Sequence, residues 1–68
     1  MHTMTFDLAI SDWANWVARD ANGTWWEYGH EPEKAIGLNI WVGTPCAKIG
    51  LGPPPKDWTQ ELYQVMRE

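Results

Sequence analysis

The stretch DWANWVARDANGTWWEY, residues 12–28, decides the fold, because it holds four of the six tryptophans and the clearest turn signal in the chain. Asp20-Ala21-Asn22-Gly23 is a turn sequence, since Asn and Gly tolerate positive φ at little cost. Its flanks, Asn15–Arg19 and Thr24–Tyr28, are rich in aromatic and β-branched residues, so a β-hairpin is expected. With Arg19 opposite Thr24, Val17, Trp26 and Tyr28 fall on one side, and Trp16, Ala18, Trp25 and Glu27 on the other. A slip of one residue pairs Trp16 with Trp26 and re-sorts them. In either register Trp25 and Trp26 are neighbours in a strand and point to opposite faces.

Outward from the hairpin, Met4–Ile10 alternates Phe6, Leu8 and Ile10 with Thr5, Asp7 and Ala9, which suits a strand. The same residues also suit the start of a helical turn leading to Ser11 and Asp12, and both readings stand. The preferred one is an extended arm with one turn near Ser11–Ala14. After the hairpin, Gly29–Gly37 reads as a polar loop. Leu38–Val42 reads as a strand with Leu38, Ile40 and Val42 on the apolar face and Asn39 and Trp41 opposite. Cys46–Leu51 reads as a fourth strand after the Gly43-Thr44-Pro45 turn. Gly52-Pro53-Pro54-Pro55 cannot continue a ladder, because proline lacks the donor. Asp57 is a good N-cap, Gln60 completes a capping-box spacing, and Trp58, Leu62, Val65 and Met66 fall on one helical stripe.

The expected fold is therefore α+β in a single domain, residues 1–68. An N-terminal arm and turn (1–14) precedes a three- to four-stranded antiparallel β-meander (15–51). A proline-rich connector (52–56) leads to one C-terminal helix (57–67) packed on one face of the sheet.

A chain of 68 residues forms a small core and needs help from disulfides, metal, a partner or large side chains. Cys46 is the only cysteine, so no intrachain disulfide forms, and its solitude suits a reducing compartment. The six Trp, two Tyr and one Phe are the remaining device, each ring burying roughly 150–250 Å² when packed. The net charge is −4, and Arg19, Lys34, Lys48, Lys56 and Arg67 are scattered. Without clustered cations to displace counterions, nucleic-acid binding is not expected. No basic start with a long apolar stretch marks a signal peptide, and no apolar run reaches the roughly 20 residues of a membrane span. The expected location is the cytoplasm of a host cell.

The pattern Trp13-Ala14-x-Trp16-Val17-Ala18-x-Asp20-x-x-Gly23-x-Trp25, with Trp41 and Asp57-Trp58 following, resembles small tryptophan-rich modules of phage and prophage proteins. That resemblance implies an accessory role, such as blocking, redirecting or scaffolding a host or phage protein, and assigns no residue a role. Gly23-Thr24-Trp25-Trp26 with His30 also echoes the WW domain, but the Trp16–Gly23 spacing is too short for it. Trp25, Trp26, Pro32 and Trp41 echo chitin-binding modules, which are normally exported.

No catalytic set is expected. Ser11 is the sole serine, and only His2 and His30 could act beside it or beside Cys46. His30-Glu31-Pro32-Glu33 offers three metal ligands without a fourth, so neither a metal nor another cofactor is expected. Trp26, Tyr28 and Trp58 are expected in the core. Trp16, Trp25 and Trp41, with Glu27 beside them, are expected on the uncovered sheet face as a partner-binding patch. The expected function is a non-enzymatic protein-interaction module that blocks or redirects a protein partner, and a homodimer through that face is one form of it. The alternative is a module recognising sugar rings or proline-rich peptides through exposed tryptophans.

Overall fold

The computed structural model describes residues 2–4, as backbone, and residues 10–66. Seven strands succeed one another: β1 (His2–Met4), β2 (Trp16–Arg19), β3 (Thr24–Tyr28), β4 (Glu33–Ala35), β5 (Ile40–Val42), β6 (Cys46–Leu51) and β7 (Leu62–Val65). Five of them form one sheet in the order β1-β7-β2-β3-β6, and β4 and β5 form a separate two-stranded sheet. All pairings are antiparallel except β1 with β7.

The hairpin forms where expected, one residue away from the expected register and in the opposite sense to the slip that sets Trp16 against Trp26. Arg19 pairs with Trp25 and Trp16 with Tyr28. The turn explains the slip. Gly23 N donates to Asp20 O, Asp20 N donates to Thr24 O, and Gly23 sits at φ 92°. These are the marks of a three-residue loop whose last position needs the left-handed region. Asn22 supports it by accepting from Thr24 N through its side chain. The consequence is a re-sorting of side chains. Trp16, Ala18, Trp26 and Tyr28 now share one face, and Val17, Arg19, Trp25 and Glu27 share the other.

The C-terminal segment corrects the α+β expectation: the fold is all-β. Among the described residues the helical pieces are single 3-10 turns, Ile36–Leu38 and Trp58–Gln60. Asp57 does cap the second, its Oδ1 accepting from Thr59 N at 3.1 Å, but the helix stops there and Leu62–Val65 becomes β7. Two features decide for the strand. First, β7 lies between β1 and β2, so its backbone is paired on both sides, whereas an isolated ten-residue helix is marginal in water. Second, a strand uses both faces of the segment. Leu62 pairs with Ala18 and is buried on the core face, while Tyr63 pairs with Val17 and stacks near Trp25, with ring centroids 5.8 Å apart. The helical stripe would have left Tyr63 unused.

The meander expectation is corrected as well. The segment read as a polar loop contains β4, and the strand read over Leu38–Val42 starts only at Ile40. Asn39 takes the left-handed conformation, φ 57°, which ends the 3-10 turn and resets the ladder. Facing is therefore inverted. Trp41 is 5% exposed, while Leu38 is 71% and Val42 43% exposed. The larger apolar surface goes inward, as burial energetics favour.

The core forms where β5 covers the main sheet. Ala18, Tyr28, Trp41 and Leu62 are its buried members, with Trp16, Trp26 and Trp58 packed against them. On the opposite face Val17 is fully buried and Glu27 is 3% exposed. Ser11 donates to Glu27 through both its backbone N–H and its hydroxyl. Arg19 lies 4.8 Å over the Trp25 ring, bonds Glu61 through its guanidinium and donates to Pro53 O. The connector is thereby tied down, with Gly52 N donating to Gly23 O at 2.9 Å. The expected turn after the arm closes through Ala14 N donating to Ser11 O. The choice between strand and helix for the arm falls on residues 5–9, outside the described residues.

Candidate binding groove

Trp41 is the keystone between the two sheets. Its backbone N–H donates to Asp20 Oδ1 at 2.8 Å, its carbonyl accepts from Tyr28 Oη at 3.3 Å, and its indole Nε1 donates to Trp58 O at 3.2 Å. The Trp41 and Trp58 rings meet edge to face, 5.8 Å apart at 84°, an arrangement aromatic quadrupoles favour. Gly43 lets β5 leave the core closely. A Cβ there would come within 3.2 Å of Pro32 Cα and Tyr28 Cδ1.

Two hollows flank Trp41. One, of about 260 Å³, is an apolar slot lined by Trp26, Tyr28, Trp41, Val42, Thr44 and Cys46. The other, of about 700 Å³, is an open polar groove where Glu31, Glu33 and Lys34 border Trp41, Thr59 and Leu62. The slot's chemistry follows from where its donors go. Trp41 Nε1 and Tyr28 Oη are bonded as above, and the Trp26 indole lies near the Asp20 carboxylate, where it opposes the effect of burial on that group. The Trp41 and Tyr28 handles are directed into the protein, and both residues are buried, 5% and 2% exposed, so the accessible lining of the slot is Trp26, Val42, Thr44 and Cys46.

Asp20 holds this arrangement at the cost of its own solvation. Burial pushes its carboxyl above the ordinary 3.8, opposed by the hydrogen bond from Trp41 N and by the nearby Trp26 indole. Burial likewise pushes the Tyr28 phenol up, helped by the charges of Asp20 and Cys46. The Asp20 shift has a definite sign in stability. The folded chain keeps a proton that the unfolded chain releases near pH 3.8, so Asp20's contribution falls as pH rises from there through the raised folded value, and stays low above it. Asp20→Asn keeps an acceptor for Trp41 N and removes the charge. Urea midpoints compared at pH 3 to 8 are expected to show wild type losing stability relative to the variant over that window. A relative gain with rising pH would contradict the buried-carboxylate assignment.

The four residues expected to form one patch are not together. Trp16 is half-buried on the core face, Trp25 is half-buried on the opposite face between Arg19 and Tyr63, Trp41 is buried, and Glu27 is buried against Ser11. Tyr28 is buried in the core as expected and Trp26 and Trp58 pack half-buried against it; Tyr28 and Trp26 also line the slot, and Cys46 is exposed. The signal that would have found them is the turn. A three-residue Ala21-Asn22-Gly23 loop fixes the register, and the register fixes the face.

Among the described residues no group of three or more His, Cys, Asp or Glu could hold a metal ion, and no helix is long and apolar enough to cross a membrane. Neither a protein-family model, nor a curated protein, nor a solved structure matches the chain.

Proposed function

We propose that this chain is a non-enzymatic interaction module that docks an apolar side chain of a protein partner into the slot formed by Trp26, Tyr28, Trp41 and Val42. A phage-encoded accessory protein that blocks or redirects its target would act in this way. The observation that carries the reading is the direction of the donors. An apolar slot backed by buried Tyr28 and Trp41, whose O–H and N–H groups are spent inside, and open at Trp26 and Val42, accepts aliphatic or proline side chains and gives a sugar's hydroxyls little beyond Thr44 to bond. Aliphatic and proline-containing peptides thus belong to this reading, and sugar rings do not. Glu31 and Glu33 beside the neighbouring groove favour partners with basic flanks.

Peptide display against the immobilised domain, with Val42→Asp as counter-selection, is the test. Val42 is 43% exposed, so the change places a charge at the slot's mouth while leaving the buried core intact. Enriched peptides are expected to share an apolar anchor and to lose binding to Val42→Asp by at least about tenfold, since burying an unpaired charge costs more than the roughly 1.4 kcal/mol that tenfold represents. Peptides that bind both proteins equally, or a soluble chitin or maltose oligomer that shifts the tryptophan emission of the wild type alone, would overturn the reading.

A further inference from the structure

β6 is an edge of the five-stranded sheet, and its hydrogen-bonding phase can be worked out. Gly29 N donates to Pro45 O at 3.0 Å, so these two are a hydrogen-bonded pair. Tyr28 pairs with Cys46, Glu27 with Ala47 and Trp26 with Lys48. Bonded and non-bonded pairs alternate in an antiparallel ladder. Ala47 therefore bonds inward to β3, and the N–H and C=O groups of Cys46 and Lys48 point outward. No hydrogen bond to the outer side of either residue is found among the described residues. The irregularity between Trp25 and Trp26 begins at Lys48, opposite Trp26, so the ladder is regular from Cys46 to Lys48 and not beyond.

The side chains of the same two residues share the slot's face, because Cys46 opposes Tyr28 and Lys48 opposes Trp26. Cys46 lines the slot, and Lys48 is exposed two residues along. We propose that the partner segment adds to β6 as an antiparallel strand, its anchor opposite Cys46 entering the slot and an acidic residue two positions earlier meeting the Lys48 ammonium. Its recognition sequence is thus an acidic residue, any residue, then an aliphatic one. Backbone bonds to Cys46 and Lys48 supply the register, and the alternate side chains supply the choice. Antiparallel addition continues the pairing of β2, β3 and β6 and is the stronger ladder per residue.

Charge selects this occupant over a second copy of the chain. Two-fold pairing centred on Lys48 sets lysine against lysine. Pairing centred on Ala47 sets each Lys48 against Cys46, at the other copy's apolar slot.

The inference rests on the slot reading, and one experiment separates the two. The labelled full chain is titrated with acetyl-GTETLTG-amide and acetyl-GTKTLTG-amide while amide shifts and hydrogen exchange are followed. The glutamate peptide is expected to bind about three- to fivefold tighter at low salt, the scale of one exposed ion pair. It is expected to shift the Val42 and Thr44 resonances and to slow exchange at the Cys46 and Lys48 amides. Lys48→Glu is expected to reverse the preference. Shifts at Val42 and Thr44 without protection of those two amides would overturn strand addition and leave the slot standing. An unchanged preference in Lys48→Glu would overturn the acidic requirement. Absence of any shift with either peptide at millimolar concentration would overturn the inference, and display selection decides the slot separately. A dimer by sedimentation that is lost in Lys48→Glu would assign the edge to a second copy instead.

Discussion

Replacing Trp41 with alanine is expected to leave the chain largely unfolded at room temperature. Trp41 is 5% exposed, bridges the two sheets, and ties three other parts of the chain through its backbone and indole. Truncating a buried tryptophan costs about 3–5 kcal/mol. A domain of this length holds only about 3–10 kcal/mol in total. The substitution removes the cover over Ala18, Tyr28 and Leu62 together with the bond to Trp58 O. Trp41→Phe keeps much of the apolar volume and loses the indole bond, so it is expected to fold with reduced stability. Circular dichroism melts of the two variants give the ranking. An alanine variant melting within a few degrees of wild type would mean that the two sheets do not share a core through this ring.

The second large effect is expected at Gly23. Its φ of 92° is strained for any residue with a Cβ, and an added Cβ would lie 2.1 Å from Gly52 O and 2.9 Å from Pro53 C. Both obstacles are backbone, and Gly52 is itself bonded to Gly23 O, so neither side can yield cheaply. Gly23→Ala is expected to lose about 3 kcal/mol or more in urea denaturation, combining backbone strain with a steric shift. Gly37→Ala is the control. Nothing lies within 4 Å of its Cβ position, and a change within about 0.5 kcal/mol is expected. Equal effects at the two glycines would contradict the close approach of the hairpin turn to the end of β6.

These two residues also show what the sequence made legible. The turn was visible in Asp20-Ala21-Asn22-Gly23, and so was the opposition of Trp25 and Trp26, because both are local consequences of backbone geometry. The register was not, because loops of three and four residues both fit that turn sequence and differ by one step. That step moved Trp16 and Ala18 to the side of Trp26 and Tyr28 and separated Trp16 from Trp25. The C-terminal segment misled for a different reason. Leu62, Val65 and Met66 satisfy a helical period, yet Leu62-Tyr63-Gln64-Val65 also fits a strand, and the decision lay with the distant β1 and β2. By sequence Leu38, Ile40 and Val42 form the tidier stripe, which turns Trp41 outward. The left-handed Asn39 interrupts that stripe, and only the assembled sheets show that the indole has a place waiting between Tyr28 and Trp58.

Both the slot and the outer edge of β6 beside it depend on which residues face each other across the hairpin. Interstrand Hα–Hα nuclear Overhauser effects measure this directly. Asp20 and Thr24 are joined by a backbone hydrogen bond, so alternation makes Arg19·Trp25 and Val17·Glu27 the close, non-bonded pairs. Strong Hα–Hα cross-peaks are expected for these two pairs. Cross-peaks joining Ala18 to Trp25 or Trp16 to Glu27 instead would shift the ladder by one residue, move Trp26 away from Ala18 and remove the slot.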